Sequence, residues 1–402
     1  MKLPLSRSAI LRVVVDLLEQ ELKAARGIPV REHPSVDMGA PGEIHLGDEG
    51  VALDSMETLT VAGVVNEFFH LHESGVEDYL LRRKHLSGWA EIIEHALGEG
   101  VSSVTFRTGG TSGSPKTVTH SWDSLLQEVA FLETLFGSRR RLVSTVPSHH
   151  IYGFLFTALL PERLGVAVHA IPWERIQEAG SQSAPGDLIV SHPTLWRYLG
   201  RSIGSWAPDV HGVSSTAPLP TELHQQLYDR GIDTLVEVYG STETGGVGYR
   251  MRPGAPFTLF PYFHRGESGS APVLMRRRPV TGEMEPVGIM DSLEWKDATR
   301  FLPTGRKDRT VQVGGENVSL DHVEQVLAEF PGVSQAVARL NEHSSDGRLK
   351  AFVVPTEGRQ MDETELQEHL RRRLRPVERP LSVTVGNELP RTALGKLTDW
   401  PV

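Results

Sequence analysis

Phe106-Arg107-Thr108-Gly109-Gly110-Thr111-Ser112-Gly113-Ser114-Pro115-Lys116 brings together three glycines, four hydroxyl side chains and a closing lysine. It follows the strand-like Ser103-Val104-Thr105 and precedes a helical pattern. Glycines let a backbone approach an anion closely and take positive φ, while hydroxyls and an ammonium supply donors and charge. The stretch therefore reads as a loop that grips phosphates, with a nucleoside triphosphate as its natural ligand. Taken alone, a Ser/Thr/Gly run is also an ordinary turn, and the spacing is not the Gly-x4-Gly-Lys-Ser/Thr of P-loop enzymes. Segments further along the chain decide between the two.

Three such segments follow in order: Tyr239-Gly240-Ser241-Thr242-Glu243, then Gly305-Arg306-Lys307-Asp308-Arg309 leading into Gly314-Gly315-Glu316-Asn317-Val318, then Pro390-Arg391-Thr392-Ala393-Leu394-Gly395-Lys396. With the glycine-rich loop they resemble the adenylate-forming superfamily of acyl- and aryl-CoA synthetases, non-ribosomal adenylation domains and luciferases. The resemblance covers about residues 100–402.

The resemblance implies an ATP-dependent ligase that turns a carboxylic acid into acyl-AMP and passes the acyl group to a pantetheine thiol. It assigns Thr108, Gly109, Gly110, Thr111, Ser112, Gly113 and Lys116 to the β- and γ-phosphates. Tyr239 matches the residue against adenine, and Thr242 precedes Glu243, which matches the Mg2+-holding position. Asp291, fourteen residues before Gly305, matches the ribose ligand, with Asp297 as competitor because the usual Thr-Gly-Asp context is absent. Arg306 matches a ribose or phosphate contact and Asp308 the hinge of a mobile lid. Lys396 matches the adenylation lysine, presented to the α-phosphate and the carboxylate as charge develops there. In Pro147-x-x-His150-x-x-Gly153, His150 matches the junction of acid site and thiol tunnel. Ser215-Thr216-Ala217 stands where the family usually has Gly-Gly-Ala. A zinc reading of His149 and His150 lacks a third ligand at metal-like spacing.

Residues 1–98 hold 16 Asp/Glu against 9 Lys/Arg within a chain of net charge −10, so the acidity lies ahead of the motifs. That distribution excludes a nucleic-acid partner, which needs a basic face. Arg371-Arg372-Arg373 sits in a helical pattern and reads as a solvated face. No apolar run reaches membrane-spanning length, no leader is recognised after Met1, and the absence of cysteine fits a reducing, cytoplasmic setting.

Apolar spacing predicts one helix over 8–24, a long connection, a helix opening at Asp54-Ser55-Met56, a short helix near 76–82, and a last one capped by Ser87. This arrangement is similar to an acyl carrier protein, whose phosphopantetheine arm sits on the Ser of Asp-Ser-Leu/Met. Ser55 occupies that position, although Ala52 replaces the usual Gly. A capping Ser in a plain helical segment is the alternative. The segment also stands where the superfamily normally has more than a hundred residues of α/β subdomain.

The expected fold is α/β: a carrier-like all-α domain over 1–98, a reduced, mostly parallel nucleotide-binding core over 99–306, and a small mobile α+β lid over 307–402. ATP and Mg2+ are the expected cofactors, with CoA or phosphopantetheine on Ser55 as thiol. The expected partners are a small carboxylic acid, CoA or a carrier protein, and a phosphopantetheinyl transferase if Ser55 is armed. A CoA ligase with a structural helical segment, and a non-catalytic nucleotide-binding scaffold, are the competing functions.

Overall fold

A computed structural model describes residues 3–26, 40–108, 116–172, 175–268, 271–289, 291–306, 309–313, 316–341, 348–356, 361–392 and 396–401. The chain opens with helices α1 (Arg7–Arg26), α2 (Ser55–Phe69) and α3 (Leu86–Gly98), then the hairpin β1 (Ser103–Thr108) and β2 (Lys116–Ser121), then α4 (Trp122–Phe136). Alternation follows through β3 (Arg141–Ser144), α5 (Ile151–Phe154), α6 (Leu160–Leu164), β4 (Ala167–Ala170), α7 (Glu178–Ser181), β5 (Asp187–Ser191), α8 (Pro193–Ser202), β6 (His211–Ser214), α9 (Thr221–Asp229) and β7 (Thr234–Ser241). Next come β8 (Gly245–Arg250), β9 (Phe257–Leu259), β10 (Phe263–Ser268), β11 (Ala271–Arg277) and β12 (Met284–Val287). These elements belong to one compact unit, Met1–Gly288.

In this unit the main sheet runs β9-β8-β7-β6-β5-β3-β4. From β7 to β4 the pairing is parallel, while β8 and β9 add antiparallel strands. The sheet is therefore mixed, with its parallel part, as expected, over β4 to β7. Its inner strands β3, β5 and β6 are buried on both faces, which is why β5 carries the apolar run Leu188-Ile189-Val190, while the edge strand β4 is largely exposed. Trp196, Leu199, Leu223 and Leu227 of α8 and α9 close one face over Val143, Ile189 and Leu235.

The helices α1 to α3 form as the periodicity predicts, yet they share this unit's core. Phe68 of α2 lies edge-on to Phe106 of β1 and Phe154 of α5, at centroid distances of 5.3 and 5.7 Å. Asp16 of α1 accepts the N–H of Ser148 at 2.5 Å, and Arg12 donates to the carbonyl of Thr157. A boundary after residue 98 does not separate compact units: Phe68, 3% exposed, is buried against Phe106 of β1 and Phe154 of α5. Asp54 caps α2, accepting from the N–H of Glu57 at 2.8 Å while Glu57 returns the bond at 2.9 Å, so Ser55 is the exposed first residue of the helix. Helix α3 starts at Leu86, ahead of Ser87, and has no side-chain cap.

The second unit, Ile289–Val402, opens with the hairpin β13 (Asp291–Trp295) and β14 (Arg300–Arg306) and continues with β15 (Thr310–Val313), β16 (Glu316–Ser319) and α10 (Leu320–Ala328). It ends with β17 (Val333–Leu340), β18 (Leu349–Pro355), α11 (Glu363–Arg373) and β19 (Ser382–Val385). Val323, Leu327, Ala351, Val353, Leu366 and Leu370 form its core, and Ser319 and Asp362 cap its two helices. This is the small α+β unit expected, beginning 18 residues earlier than the predicted 307. Arg371, Arg372 and Arg373 are exposed in the last turn of α11, where cations complement the helix end. No described helix is long and apolar enough to cross a membrane.

Candidate active site

The glycine-rich loop joins β1 to β2, with Thr108 opposite Lys116 in the antiparallel register. It therefore tips a hairpin, and a strand intervenes before α4 where the sequence suggested a helix directly. Gly109, Gly110, Thr111, Ser112 and Gly113 lie outside the described residues, as do the side chains of Thr108 and Lys116.

Strand β7 carries the second motif to the same hairpin. Tyr239, half-buried, packs its ring 5.6 Å from that of Phe257. Gly240 faces Gly246 in the pairing with β8, and a Cβ at 240 would lie 2.1 Å from the Gly245 carbonyl oxygen, so the chain turns back only with glycine there. Within the turn the hydroxyl of Thr244 accepts the Ser241 N–H at 3.1 Å, which leaves Glu243 exposed at the tip.

Two side chains brace that turn from behind. His120 Nε2 of β2 bonds the Thr242 carbonyl at 2.6 Å, and Glu128 of α4 accepts the Gly246 N–H on Oε1 at 2.8 Å. The His120 bond ties the β1–β2 hairpin to the Glu243 turn. Burial lowers the pKa of His120, countered in part by the Thr242 bond, so the ring is neutral and Nε2 donates. Burial pushes the Glu128 carboxyl up to about 7, against the Gly246 bond and the charge of Arg276. Neither residue was singled out from sequence. Glu128 had a readable signal, a carboxylate three positions after Leu125 and one before Val129 on the apolar face of α4.

At the ends of β3, β5 and β6, Tyr152 donates its hydroxyl to the carbonyls of Ser191 at 2.8 Å and Val213 at 3.0 Å. His150 precedes α5 and lies 4.2 Å, centroid to centroid, from the ring of His149. The Pro-x-x-His-x-x-Gly spacing has a steric cause: a Cβ on Gly153 would sit 1.8 Å from the Pro147 carbonyl oxygen. Ser215 Oγ donates to the Val238 carbonyl at 2.9 Å, and the buried Glu237 accepts the Leu219 N–H at 3.1 Å while pairing with Arg250. Thr216 between them has φ +78, the left-handed backbone that glycine takes without strain.

In the second unit Asp291 faces Arg306 across the β13–β14 hairpin, although the Arg306 side chain lies outside the described residues. Asp297 is engaged by its own turn: its carboxylate accepts from the N–H groups of Thr299 and Arg300 and from the Arg300 guanidinium. The Thr299 bond leads these in holding its pKa down to about 2. Lys307, Asp308, Gly314 and Gly315 are outside the described residues. Lys396 is exposed, its N–H on Thr392 Oγ1 at 3.2 Å and its carbonyl accepting the Thr392 N–H at 2.7 Å. Beyond it, Arg339 donates to the Leu397 carbonyl at 2.9 Å, and the buried Lys350 donates to Asp399 at 2.9 Å and to the Trp400 carbonyl at 2.7 Å.

A glycine-rich-loop hairpin braced to an acidic turn, a mixed sheet and a separate small α+β unit agree with an adenylate-forming enzyme. The family described as AMP-binding enzyme matches residues 102–261, and the AMP-binding enzyme C-terminal domain matches residues 322–396. The chain belongs to this family and is an AMP-forming ligase that activates a carboxylic acid with ATP and forms a thioester on a pantetheine thiol. It is 38% identical over 399 residues to a 4-coumarate–CoA ligase of Halorhodospira halophila, covering 98% of this chain and 99% of that protein. It is 36% identical over 402 residues to a 4-coumarate–CoA ligase of Rhodobacter capsulatus, covering 97% and 99%. In fold it is similar to ATP-bound MatB from Rhodopseudomonas palustris, with TM-score 0.59 and 16% identity over 96% of this chain and 91% of that one. The two ligase alignments run through the N-terminal helices, so the short layout before the glycine-rich loop is common to these relatives.

Proposed function

We propose that the acid is a 4-coumarate-like arylpropenoic acid and that CoA accepts the acyl group. The end-to-end match to two 4-coumarate–CoA ligases at 36% and 38% identity carries this reading. Dependence on ATP and CoA supports a cytoplasmic setting.

On this reading residues 108–113 and Lys116 hold the β- and γ-phosphates and Tyr239 lies against adenine. Thr242 sets the turn and Glu243 supplies a carboxylate oxygen for Mg2+, a hard cation suited to that donor and to phosphate oxygens. When bound, Mg2+ neutralises phosphate charge during displacement. The bonds from His120 and to Glu128 fit this role, since they fix the turn while leaving the Glu243 carboxylate exposed. Asp291 and Arg306 hold the ribose, a role their places opposite each other on β13 and β14 support. Lys396 supplies an ammonium as negative charge develops between the acid oxygen and the α-phosphate. His150 lies where acid and thiol meet, and the second unit moves as a lid pivoting at Asp308.

A second reading keeps one observation in its favour: Ser55 is exposed at the start of α2, where a helix N-terminus favours a phosphate. A phosphopantetheine arm on Ser55, added by a transferase, would then replace CoA as acceptor. Incubation with CoA and a phosphopantetheinyl transferase followed by intact mass distinguishes the two. We expect no added arm; an arm on the wild type that is lost in Ser55→Ala would establish it.

The substrate test is acid-dependent pyrophosphate release and CoA-thioester formation across hydroxycinnamic, benzoic, short-chain and amino acids. We expect 4-coumarate-like acids to give the highest kcat/KM. Preference for another class would overturn the substrate assignment, and thioester formation only on a carrier protein would overturn CoA.

A further inference from the structure

Helix α2 ends at His70, whose left-handed backbone (φ 53, ψ 39) folds the following turn, Leu71–Glu73, back beside its own ring. The ring is anchored on one side. His70 Nε2 lies 2.7 Å from Thr105 Oγ1 of β1, which lies 2.7 Å from Thr119 Oγ1 of β2. With the ring proton on Nε2, His70 donates to Thr105, Thr105 donates to Thr119, and Nδ1 keeps its lone pair. Nδ1 then faces Glu73 Oε1 at 3.1 Å. In this tautomer Nδ1 and Oε1 are two acceptors that a cation would bridge; in the other, Nδ1–H donates to Glu73 and a metal ion would displace that proton.

A third donor is at hand. The His72 ring is 5.5 Å from that of His70, centroid to centroid, and the Asn66 side chain accepts the His72 N–H at 2.9 Å, fixing the turn. One ligand atom from each of His70, His72 and Glu73 lies within 4.8 Å of the other two. Ligands of a tetrahedral zinc ion stand roughly 3.4 Å apart, given metal–ligand distances of about 2.1 Å. His72 and Glu73 are exposed and can rotate to close the difference, while Thr105 holds the His70 ring through Nε2 as outer-shell partners hold metal-ligating histidines.

We propose that His70 Nδ1, His72 and Glu73 form a binding site for a divalent transition metal of the zinc class, with solvent completing the coordination. The donor set, two imidazoles and one carboxylate, suits Zn2+, Co2+ or Ni2+ better than Mg2+, so the site is distinct from the nucleotide's magnesium. The surroundings permit it. Arg107, the nearby cation on β1, is balanced by Glu67 and Glu21. A second cluster, Asp209, His211 and Asp233, already holds a cation, because Arg139 pairs with Asp209 at 2.9 Å. Metal at His70 would join the end of α2 to the hairpin that carries the glycine-rich loop, three residues below Thr108.

The test is calorimetric titration of the tag-free, metal-free full-length chain with Zn2+, together with the visible absorption of bound Co2+. We expect the wild type to take up one equivalent, His72→Ala to weaken binding at least tenfold, Glu73→Gln to weaken it several-fold, and His211→Ala to leave it unchanged. His72 is exposed, so its variant keeps the fold, which far-UV circular dichroism checks. No uptake by the wild type, or equal uptake by wild type and His72→Ala, would overturn the proposal.

Discussion

Glu128 Oε1 accepts the N–H of Gly246 at 2.8 Å, so a fully buried carboxyl holds the base of the turn that exposes Glu243. Its pKa rises from about 4.5 in the unfolded chain to about 7 in the fold. The stabilisation this raised value gives is complete below pH 4.5 and is lost as pH climbs through 7, by about 3 kcal/mol for a shift of this size. Glu128→Gln keeps the accepting oxygen and removes the ionisation. The variant should match the wild type in urea near pH 5 and exceed it progressively toward pH 8. A stability difference that does not change with pH over this range would refute the assignment.

Lys350 anchors the tail just after Lys396 by holding Asp399 and the Trp400 carbonyl. The partner feels it: burial opposes ionisation of Asp399, yet the Lys350 bond and charge keep its pKa low. Lys396→Ala should reduce acid-dependent pyrophosphate release by orders of magnitude while sparing thioester formation from supplied acyl-AMP. Lys350→Met, by loosening the tail, should reproduce that split more weakly, at about tenfold. Equal loss in both half-reactions would mean that neither residue acts selectively in adenylation.

The helices, the alternating strands and the order of the motifs were legible because each rests on local pattern: apolar period, capping residue, glycine position. What the sequence concealed depends on contacts between distant residues. The fused N-terminal segment was one such case, since Phe68 belongs to the same apolar face whether it is buried within a separate domain or, as it is, against Phe106 and Phe154. The bracing of the turn was another, as Glu128 stands 118 positions from Gly246 and His120 stands 122 from Thr242. The bonds that tie the Asp297 carboxylate to Thr299 and Arg300 were likewise not readable from its spacing to Gly305.

Gly153 permits the Pro147–Gly153 turn because no Cβ fits within 1.8 Å of a carbonyl oxygen. Backbone cannot shift as a side-chain tip can, so Gly153→Ala should cost about 3 kcal/mol or more. The same change displaces His150, and acid-dependent pyrophosphate release should fall with stability. A variant with a wild-type urea midpoint and activity would show that the turn tolerates rearrangement.

Thr216 holds φ +78 with an exposed, β-branched side chain, between Ser215, which is bonded to Val238, and Leu219, which is bonded to Glu237. Those bonds fix the segment on both sides and impose the backbone angle on a residue that resists it. Such strain costs on the order of 1–3 kcal/mol. Glycine would release it, at an entropic cost of about 0.5–1 kcal/mol from the freer unfolded chain. Because the side chain is exposed, its removal forfeits little packing. Thr216→Gly should therefore stabilise the first unit by about 1 kcal/mol, read as a higher urea midpoint at unchanged slope. The Ser215 and Glu237 bonds keep the loop in place, so KM for ATP should stay within about twofold. A lower midpoint would show that the threonine is held without strain, and a large rise in KM would show that its side chain shapes the nucleotide site.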